Sequence, residues 1–293
     1  MIEYSIIDDA AIELGGTSLT LKAIVEPIKD QVEFITTSDI SLTHLQFKRP
    51  RAWIIGNVMA MNSQSHKALT TLLQNEKTVK IDFDYGFCRF RGPTPHRVLG
   101  KQECDCSNNP EAKASAAIYH LIKEKSSHIF YMGNEQRKIH EKFLQIPQEK
   151  TTVLSSCFLP STFEKMRELR GATKNNKYAI VQGHPGWHSQ AKGVSESINY
   201  AIENNLEYDL FSTSTHKEML ETLSTYKGLI FLPTIEDTCP RITIEAKLMG
   251  LDVITNPNSQ HTSEEWWNYS LEKIEDYLKE RPQKFHNILS NLI

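Results

Sequence analysis

The segment Leu229–Thr255, LIFLPTIEDTCPRITIEAKLMGLDVIT, decides the fold. Its first four residues form a short apolar run that ends at Pro233, which is typical of a buried parallel strand. A polar loop follows, and Pro240 suits the start of a helix because its missing N–H costs nothing there. Apolar residues at helical spacing continue to Gly250, and a second apolar run then begins another strand. The segment predicts a strand–loop–helix–strand unit, in which ligands bind beyond the carboxyl ends of the strands.

Two acids lie inside this unit at a fixed spacing, Asp237 in the loop and Glu245 in the helix, with seven residues between them. Acid-x7-Glu, followed by an alanine and then by a glycine before an apolar strand, resembles the C-terminal motif of retaining GT-B glycosyltransferases, especially glycosyltransferase family 4. The resemblance implies that Asp237 contacts the sugar of a nucleotide-sugar and that Glu245 holds the nucleotide ribose. The family's first acid is usually Glu, so Glu236 is the alternative for the first role. The family's small Gly-rich residues are replaced here by Thr238–Arg241.

A purely structural interpretation of these residues is also open. Arg241 and Glu245 are four positions apart, which is the spacing of an ion pair on the surface of a helix. Asp237 would then be an ordinary exposed acid in a loop.

Two predicted helices begin with a cation. Lys192-Gly193 precedes one helix, and Arg241 opens the helix of the first motif. A cation at a helix N-terminus opposes the helix dipole unless an anion binds there, so the two indicate a clamp for a diphosphate. The resemblance agrees, since family 4 enzymes have a Lys-Gly at this point and use that Lys on the donor diphosphate. The family's preceding Arg is missing, and His184, His188 or Arg241 could replace it; a solvated Lys192 is the alternative to the clamp.

A Gly15-Gly16 pair lies between the first predicted strand, residues 4–7, and a helix over 18–29. Glycines let backbone N–H groups approach an anion or a sugar closely. Family 4 enzymes often carry a Gly-Gly loop here, facing the cleft between their domains. An ordinary tight turn explains the pair equally well.

Strand and helix patterns alternate along the chain, which predicts an α/β protein with doubly wound sheets. The resemblance implies a GT-B fold, with two Rossmann-like domains that face each other across a cleft. We expect an acceptor-side domain over 1–172 and a nucleotide-sugar domain over 173–293, joined through the polar stretch 170–176. A helical stretch over 263–280 and a last short helix over 285–292 are expected to return to the first domain.

Residues 84–110 show no convincing helix or strand, and loops this long are usually functional or disordered. The stretch carries Asp84, Tyr85, Arg89 and Arg91, with Phe87 and Phe90 between the cations. Such rings and cations could stack on bases and contact phosphates on the acceptor side. Residues 48–101 hold ten Lys and Arg against three Asp and Glu, which also favours a polyanion. A solvated basic loop is the alternative.

The same stretch contains Cys88, His96, Cys104 and Cys106, spaced C-x7-H-x7-C-x-C. Three thiols and one imidazole could close a tetrahedral structural zinc site and order a loop that has no core of its own. Reduced free thiols are the alternative.

Composition is that of a globular protein, with 39% hydrophobic residues, 24% charged residues and a net charge of −3. No apolar run is long enough to span a bilayer, and the N-terminus has no secretory pattern, so we expect no membrane insertion. Five cysteines, an odd number, indicate reduced thiols and a cytoplasmic location, in the host if the protein is viral.

The resemblance implies retaining transfer of a sugar from a nucleotide-sugar, with UDP- or GDP-sugars as the expected donors. Fixed cations would stabilise the departing diphosphate, so no catalytic metal is expected. The basic stretch favours a nucleic-acid acceptor, such as a hydroxylated base in viral DNA, and a cell-surface glycan or its precursor is the alternative. Two competing classes remain: an epimerase or phosphorylase on the GT-B frame, and a non-catalytic nucleic-acid-binding module that uses residues 48–101.

Overall fold

The computed structural model describes residues 2–9, 15–109, 114–182, 190–238 and 240–292. The chain forms two compact units, Met1–Cys157 together with Arg281–Ile293, and Phe158–Glu280. Each unit contains one fully parallel sheet with helices packed on it, so the predicted α/β class is confirmed. Among the described residues, no helix combines the length and the apolar character needed to cross a membrane.

The first unit is built on six parallel strands, which are β1 Tyr4–Asp8, β2 Val32–Thr36, β3 Ala52–Ile55, β4 Thr78–Asp82, β5 His128–Tyr131 and β6 Thr151–Val153. Their order is β2-β1-β3-β4-β5-β6. The sheet grows in opposite directions from β1 and β3, so this pair is its switch point, where open α/β sheets bind ligands.

In the described part of this unit, six helices follow the strands: α1 Gly16–Val25, α2 Leu42–Phe47, α3 Ser63–Asn75, α4 Pro93–Gly100, α5 Ala114–Lys125 and α6 Asn134–Leu144. Every residue of β1, β3, β4 and β5 is buried. Strands covered on both faces are expected in a parallel sheet, and they explain the near-continuous apolar runs in the sequence.

The second unit contains strands β7 Tyr178–Val181, β8 Tyr208–Phe211, β9 Gly228–Phe231 and β10 Asp252–Thr255. Their order is β10-β9-β7-β8, all parallel, with the switch point between β7 and β9. The helices are α7 Pro160–Arg170, α8 Val194–Glu203, α9 His216–Leu223 and α10 Arg241–Leu248. The strand–loop–helix–strand unit predicted from residues 229–255 is therefore confirmed as β9, α10 and β10.

The division between the units falls after Cys157, earlier in the chain than the linker expected at 170–176. Helix α7 joins the second unit because Phe163 and Met166 lie in its hydrophobic core. As a boundary between functional domains, 172/173 stays a prediction.

The C-terminal helix α11, Leu271–Leu292, is continuous through Pro282. The expected break between 280 and 285 is therefore wrong. Proline costs about 3 kcal/mol inside a helix, and the packing of the following turn offsets it. Phe285 is fully buried, 4.8 Å from the ring of Phe130, and His286 Nε2 lies 2.7 Å from the carbonyl oxygen of Ile24. The last turns of the helix consequently belong to the first unit.

Candidate functional site

Loops at the carboxyl edge of the second unit's sheet are tied to one another next to the switch point. Thr234, after β9, donates its backbone N–H to the carbonyl oxygen of Ala191, which follows β7, at 3.1 Å. Asn256 and Asn258, after β10, both donate to the Pro233 carbonyl oxygen, at 2.9 and 2.8 Å. These hydrogen bonds fix the backbone of the loops and thereby the positions of their side chains. We call this region, with residues 190–193, 232–238, 240–241 and 256–261, the second-unit site.

Lys192 and Asp237 meet in this site, although they are far apart in the sequence. Lys192 Nζ lies 2.5 Å from Asp237 Oδ2, with the lysine side chain 47% exposed and the carboxylate 12% exposed. The Asp237 backbone is fixed because its N–H donates to the Asn258 carbonyl at 2.8 Å and its carbonyl accepts from Gln260 at 3.2 Å. The site therefore presents a half-exposed cation beside a carboxylate that is rigidly held.

Gly193 allows this arrangement. Its φ is +68°, and a Cβ at this position would stand 1.7 Å from the Leu232 carbonyl oxygen at the end of β9. Only glycine avoids both the backbone strain and the collision. The Lys-Gly pair thus has a physical reason, since the glycine lets the chain pass directly against β9 while Lys192 stays at the site.

Glu245, on α10, forms a buried charge cluster instead of the surface pair that its spacing allows. His216 Nε2 and Arg241 Nε lie 2.9 and 3.4 Å from Glu245 Oε1, and Arg241 and Glu245 are only 5% and 1% exposed. Burial by itself raises the pKa of Glu245, but the hydrogen bond from His216 and the charge of Arg241 outweigh it and lower the pKa. Glu245 is therefore held ionised between two nitrogen-bearing side chains.

Arg241 begins helix α10, as predicted, but its side chain is directed to neighbours within the unit. The guanidinium lies 3.9 Å from the ring centroid of Phe158, in cation–π geometry, as well as beside Glu245. An arginine so enclosed by protein groups orders the carboxylate that it contacts. Pro240 stands at the N-cap of the helix.

His261 completes the second-unit site as a buried imidazole. It is fully buried, and burial lowers its pKa to about 4; the nearby charge of Asp237 opposes the shift and that of Arg241 adds to it. His261 is therefore neutral at physiological pH.

His216 and the buried state of His261 were not found by sequence reasoning. His216 stands near Glu245 only through the β10-β9-β7-β8 strand order, and a histidine at the start of an amphipathic helix carries no signal of its own. Glu236 is half-buried next to Asp237. His184, His188 and Cys239 lie outside the described residues.

In the first unit, Gly15 is the N-cap of α1, and Gly16 is the first residue of that helix. Gly15 has an extended backbone, and a Cβ built on it would meet no described atom within 4 Å. Nearby in the sheet, Asp8 at the end of β1 accepts the backbone N–H of Asn57 at 2.7 Å. Gly15-Gly16 thus stands between β1 and α1, as the sequence predicted, although the helix begins at Gly16 and not at residue 18. The ligand of this turn stays a prediction.

Residues 84–110 were predicted to have no helix or strand, which is wrong, because α4 lies within them. Tyr85 and Phe87 are fully buried. Tyr85 stacks on His140 at 5.3 Å, and Phe87 stacks on Phe143 at 5.6 Å. The prediction that these two rings would be available to bases is wrong, since they are core residues of the first unit.

Asp84 and Arg91 form an ion pair, with the arginine 45% exposed, and Arg89 is exposed. Asp84 is fixed further by Gln136, whose side-chain amide lies 3.3 Å from the Asp84 carbonyl oxygen. The two arginines that were predicted to contact the acceptor therefore differ, because Arg91 is paired within the protein and Arg89 is exposed to solvent.

The basic excess of residues 48–101 is also partly neutralised by pairing. Lys48 and Arg51 pair with Glu33 and Glu3, which lie outside the segment, at 2.6 and 3.8 Å. Further partners within the segment are Glu76 for Arg49, Asp82 for Lys80 and Asp84 for Arg91. Half of the ten cations have a carboxylate neighbour, so the count in the sequence overstates the positive field.

A buried polar network at the end of β4 was not predicted. Asp82 Oδ1 lies 2.8 Å from the Tyr119 hydroxyl and 3.2 Å from Lys80 Nζ, and Oδ2 lies 2.9 Å from His140 Nε2. Burial raises the pKa of Asp82, but the charges of Lys80 and His140 hold it at about 2. Lys80 also donates to the Gly56 carbonyl at 2.8 Å and is fully buried. This network ties β3, β4, α5 and α6 together.

The four side chains of the C-x7-H-x7-C-x-C pattern come together in the structure. Cys88, His96, Cys104 and Cys106 are all buried, and their ligand atoms lie within 4.8 Å of one another. This group has the donor atoms and the proximity needed to hold a metal ion.

No protein-family model matches the chain, and no curated protein matches it in sequence. Solved structures do match. Anabaena HepE in complex with UDP and glucose has a TM-score of 0.52 and 14% identity over 99% of this chain and 100% of that one. WaaG, a glycosyltransferase of lipopolysaccharide biosynthesis, has a TM-score of 0.55 and 14% identity over 96% and 90%.

The catalytic domain of starch synthase IV from Arabidopsis thaliana, bound to ADP and acarbose, has a TM-score of 0.54 and 8% identity over 87% of this chain and 82% of that one. The fold is therefore that of the GT-B glycosyltransferases. At such low identities the likeness establishes the fold alone.

Proposed function

We propose that this protein is a retaining glycosyltransferase that moves a sugar from a nucleotide-sugar to a hydroxyl group of an acceptor. One observation carries the proposal: in a protein with the GT-B fold, Lys192 pairs with Asp237, and Arg241 pairs with the buried Glu245, on segments that follow strands of the second unit's sheet. The buried His261 lies within the electrostatic influence of both Asp237 and Arg241. Ligands of open α/β sheets bind beyond the carboxyl ends of the strands. The acid-x7-Glu spacing of the sequence supports the same assignment.

Lys192 is the proposed cation for the donor diphosphate. Its half-exposed ammonium is accessible to a ligand, and its present partner, Asp237, is one carboxylate. A diphosphate places more negative charge and more acceptor oxygens around the ammonium. A fixed cation that meets charge as it develops on a leaving group stabilises the transition state. We propose that fixed cations perform this role without a catalytic metal.

Asp237 is the proposed contact to the donor sugar, with Glu236 as the alternative acid. A rigid carboxylate beside the diphosphate cation could accept hydrogen bonds from sugar hydroxyls and fix the ring for reaction. The backbone hydrogen bond that Asp237 donates to Asn258 and the one that it accepts from Gln260 supply the required rigidity.

Glu245 is the proposed ribose ligand, and Arg241 and His216 are the residues that position it. An ionised carboxylate is a good acceptor for two hydroxyls, and its two neighbours keep it ionised in a buried setting. Gly193 brings Lys192 to the site. Gly15, Gly16 and His184 remain proposed donor contacts that rest on the family resemblance.

For the acceptor, we favour a glycan or a glycan precursor over a nucleic acid. Two arguments had favoured DNA, namely base stacking by aromatic rings and an excess of positive charge. Tyr85 and Phe87 are core residues, and half of the cations in 48–101 are paired, so both arguments are weaker than the sequence suggested. A hydroxylated DNA base stays the second candidate, because Arg89, Arg97 and Lys101 are exposed near one another in the sequence.

The nucleotide-sugar class is tested with a panel of UDP- and GDP-sugars and the free nucleotides, each scored by its effect on thermal unfolding. A ligand at 100 times its Kd adds about 2.7 kcal/mol to the free energy of unfolding. We expect one nucleotide series to raise the Tm, followed by hydrolysis or transfer of that sugar. Conversion of the sugar without any acceptor would instead identify an epimerase. Absence of stabilisation by every donor would contradict the proposal and favour the non-catalytic binding module.

A further inference from the structure

The Cys88, His96, Cys104 and Cys106 group lies in the first unit and has no part in the proposed transfer reaction. Cys88 follows β4, His96 lies on α4, and the other two cysteines follow that helix. All four side chains are buried, and all three cysteines are free thiols. Buried thiols around an imidazole are a donor set that selects for zinc.

The distances between the donor atoms match a tetrahedron around one ion. With Zn–S near 2.3 Å and Zn–N near 2.0–2.1 Å, a tetrahedral site has edges of about 3.8 Å between sulfurs and about 3.6 Å between sulfur and nitrogen. Cys104 Sγ lies 3.6 Å from Cys88 Sγ. His96 Nδ1 lies 3.4 Å from Cys88 Sγ and 3.6 Å from Cys106 Sγ. Three edges of the tetrahedron are thus already formed.

The surroundings suit sulfur atoms that carry negative charge. The backbone N–H groups of Arg89 and Phe90 point to Cys106 Sγ and Cys88 Sγ at 3.5 and 3.4 Å. His96 presents Nδ1 to the sulfurs. Its Nε2 faces the opposite way, 3.4 Å from Arg89 Nη2 and 3.8 Å from an Asp105 carboxylate oxygen, which is too far for a hydrogen bond.

The segment also needs such a link. Helix α4 has eight residues, of which only Pro95 and His96 are buried, and its Val98 and Leu99 are 65% and 49% exposed. A helix this short is unstable without tertiary contacts. A metal bond to His96 supplies the anchoring that the apolar contacts of α4 do not.

We propose that Cys88, His96, Cys104 and Cys106 bind one structural zinc ion that holds α4 and the following segment to the first unit. Four protein ligands close the coordination sphere, so the ion orders the chain and takes no substrate. The alternatives are a cluster of thiols without metal and a disulfide. The metal-free cluster is the alternative to which one contact corresponds: Cys88 Sγ lies 3.2 Å from the Gly92 carbonyl oxygen, as a protonated thiol that donates a hydrogen bond would. The Cys88–Cys104 separation of 3.6 Å is far above the S–S bond length of about 2.05 Å.

Metal content is measured on full-length protein that has been purified without chelator. We expect about one zinc ion per chain, as a closed four-ligand site requires. Cys88→Ser, Cys106→Ser and His96→Gln should each reduce it several-fold. Cys157→Ser is the matched control, because Cys157 is a fully buried thiol of the same unit that does not belong to the group, and this variant should retain the metal.

Co²⁺ exchange into the wild-type protein provides a second measurement, which stays decisive if the variants fail to fold. A tetrahedral thiolate site gives intense ligand-field bands together with thiolate-to-cobalt charge transfer, whereas the metal-free cluster or a disulfide gives neither. Wild-type protein with less than about a tenth of an equivalent of zinc after reconstitution, and without these bands, would overturn the proposal.

Discussion

The Lys192–Asp237 pair resembles a surface salt bridge, yet its place at the switch point gives it a testable role. We expect Lys192→Ala to weaken nucleotide-diphosphate binding by about 10- to 100-fold, since a hydrogen bond to a charged group contributes about 1.5–3 kcal/mol. Isothermal titration with the best nucleotide measures the change. Lys177→Ala is the matched control, because Lys177 forms a similar exposed pair with Asp209 at 2.9 Å at the opposite end of the strands. If the Lys192 variant and the wild type bind the nucleotide with equal affinity, Lys192 does not bind the diphosphate.

Asp237 and Glu245 are separable because they are assigned to different parts of the donor. Glu245→Gln should weaken the free nucleotide and the nucleotide-sugar alike, because both contain the ribose. Asp237→Asn should weaken mainly the sugar-bearing donor, by about tenfold for one charged hydrogen bond. Titrations of each variant with both ligands test this pattern, with circular dichroism as the check on folding. Normal turnover in both variants would show that the motif assignment is wrong.

His261 predicts a pH dependence of stability. Its pKa is about 4 in the folded protein, below its ordinary value of 6.5. The unfolded chain therefore binds the proton more readily, and the stabilisation that is present above pH 6.5 is lost as the pH falls towards 4. The full effect is on the order of 3 kcal/mol, at 1.36 kcal/mol per pKa unit.

We expect His261→Gln to flatten the fall in unfolding free energy across pH 6.5–4. Denaturant unfolding of both proteins at several pH values measures the difference. His128 and His286 also have a lowered pKa, from burial, but they are present in both proteins and cancel. Parallel pH profiles would show that His261 does not carry the effect.

The start of helix α8 depends on one backbone conformation. Gly193→Ala would force a Cβ against the Leu232 carbonyl at a positive φ, so we expect a loss of about 3 kcal/mol or more in unfolding free energy, or a displaced helix start that weakens nucleotide binding. Gly171→Ala is the control, since φ there is −83° and the nearest atom lies 3.8 Å from the added carbon. A Gly193 variant as stable as the Gly171 variant would contradict this assignment.

Errors in the predicted elements arise where a helix gains its stability from contacts that are remote in sequence. Helix α4 has a weak apolar pattern, and its buried His96 packs beside cysteines from the flanking segments. Helix α11 passes through Pro282 because Phe285 packs on Phe130, more than a hundred residues away. Local patterns do not contain such contacts, and they therefore predicted a loop and a break.

The choice between a DNA acceptor and a glycan depends on how much unpaired positive charge the whole protein presents. We expect binding to hydroxymethylated duplex DNA to be weak at moderate salt, because paired cations contribute less to counterion release. Duplex binding is measured at low and moderate salt, with Arg89→Ala beside Arg51→Ala, whose arginine is paired with Glu3. Tight, salt-sensitive binding that the Arg89 variant alone loses, together with sugar transfer to the DNA, would reverse the preference for a glycan.

Periodicity, glycines and prolines predicted the strands of both sheets and the alternation of strands with helices, because backbone preference and the burial of one face act over a few residues. The acid-x7-Glu spacing and Lys192-Gly193 are also local patterns, so the sequence by itself was enough to propose Lys192, Asp237 and Glu245 as donor-binding residues. Tertiary structure alone decided their neighbours. His216 contacts Glu245, Lys192 contacts Asp237, and Asp82 gathers Lys80, Tyr119 and His140 because strand order and register bring distant segments together. The same packing buried Tyr85 and Phe87 and paired half of the basic residues in 48–101, since a side chain's exposure and charge partners depend on what folds against it.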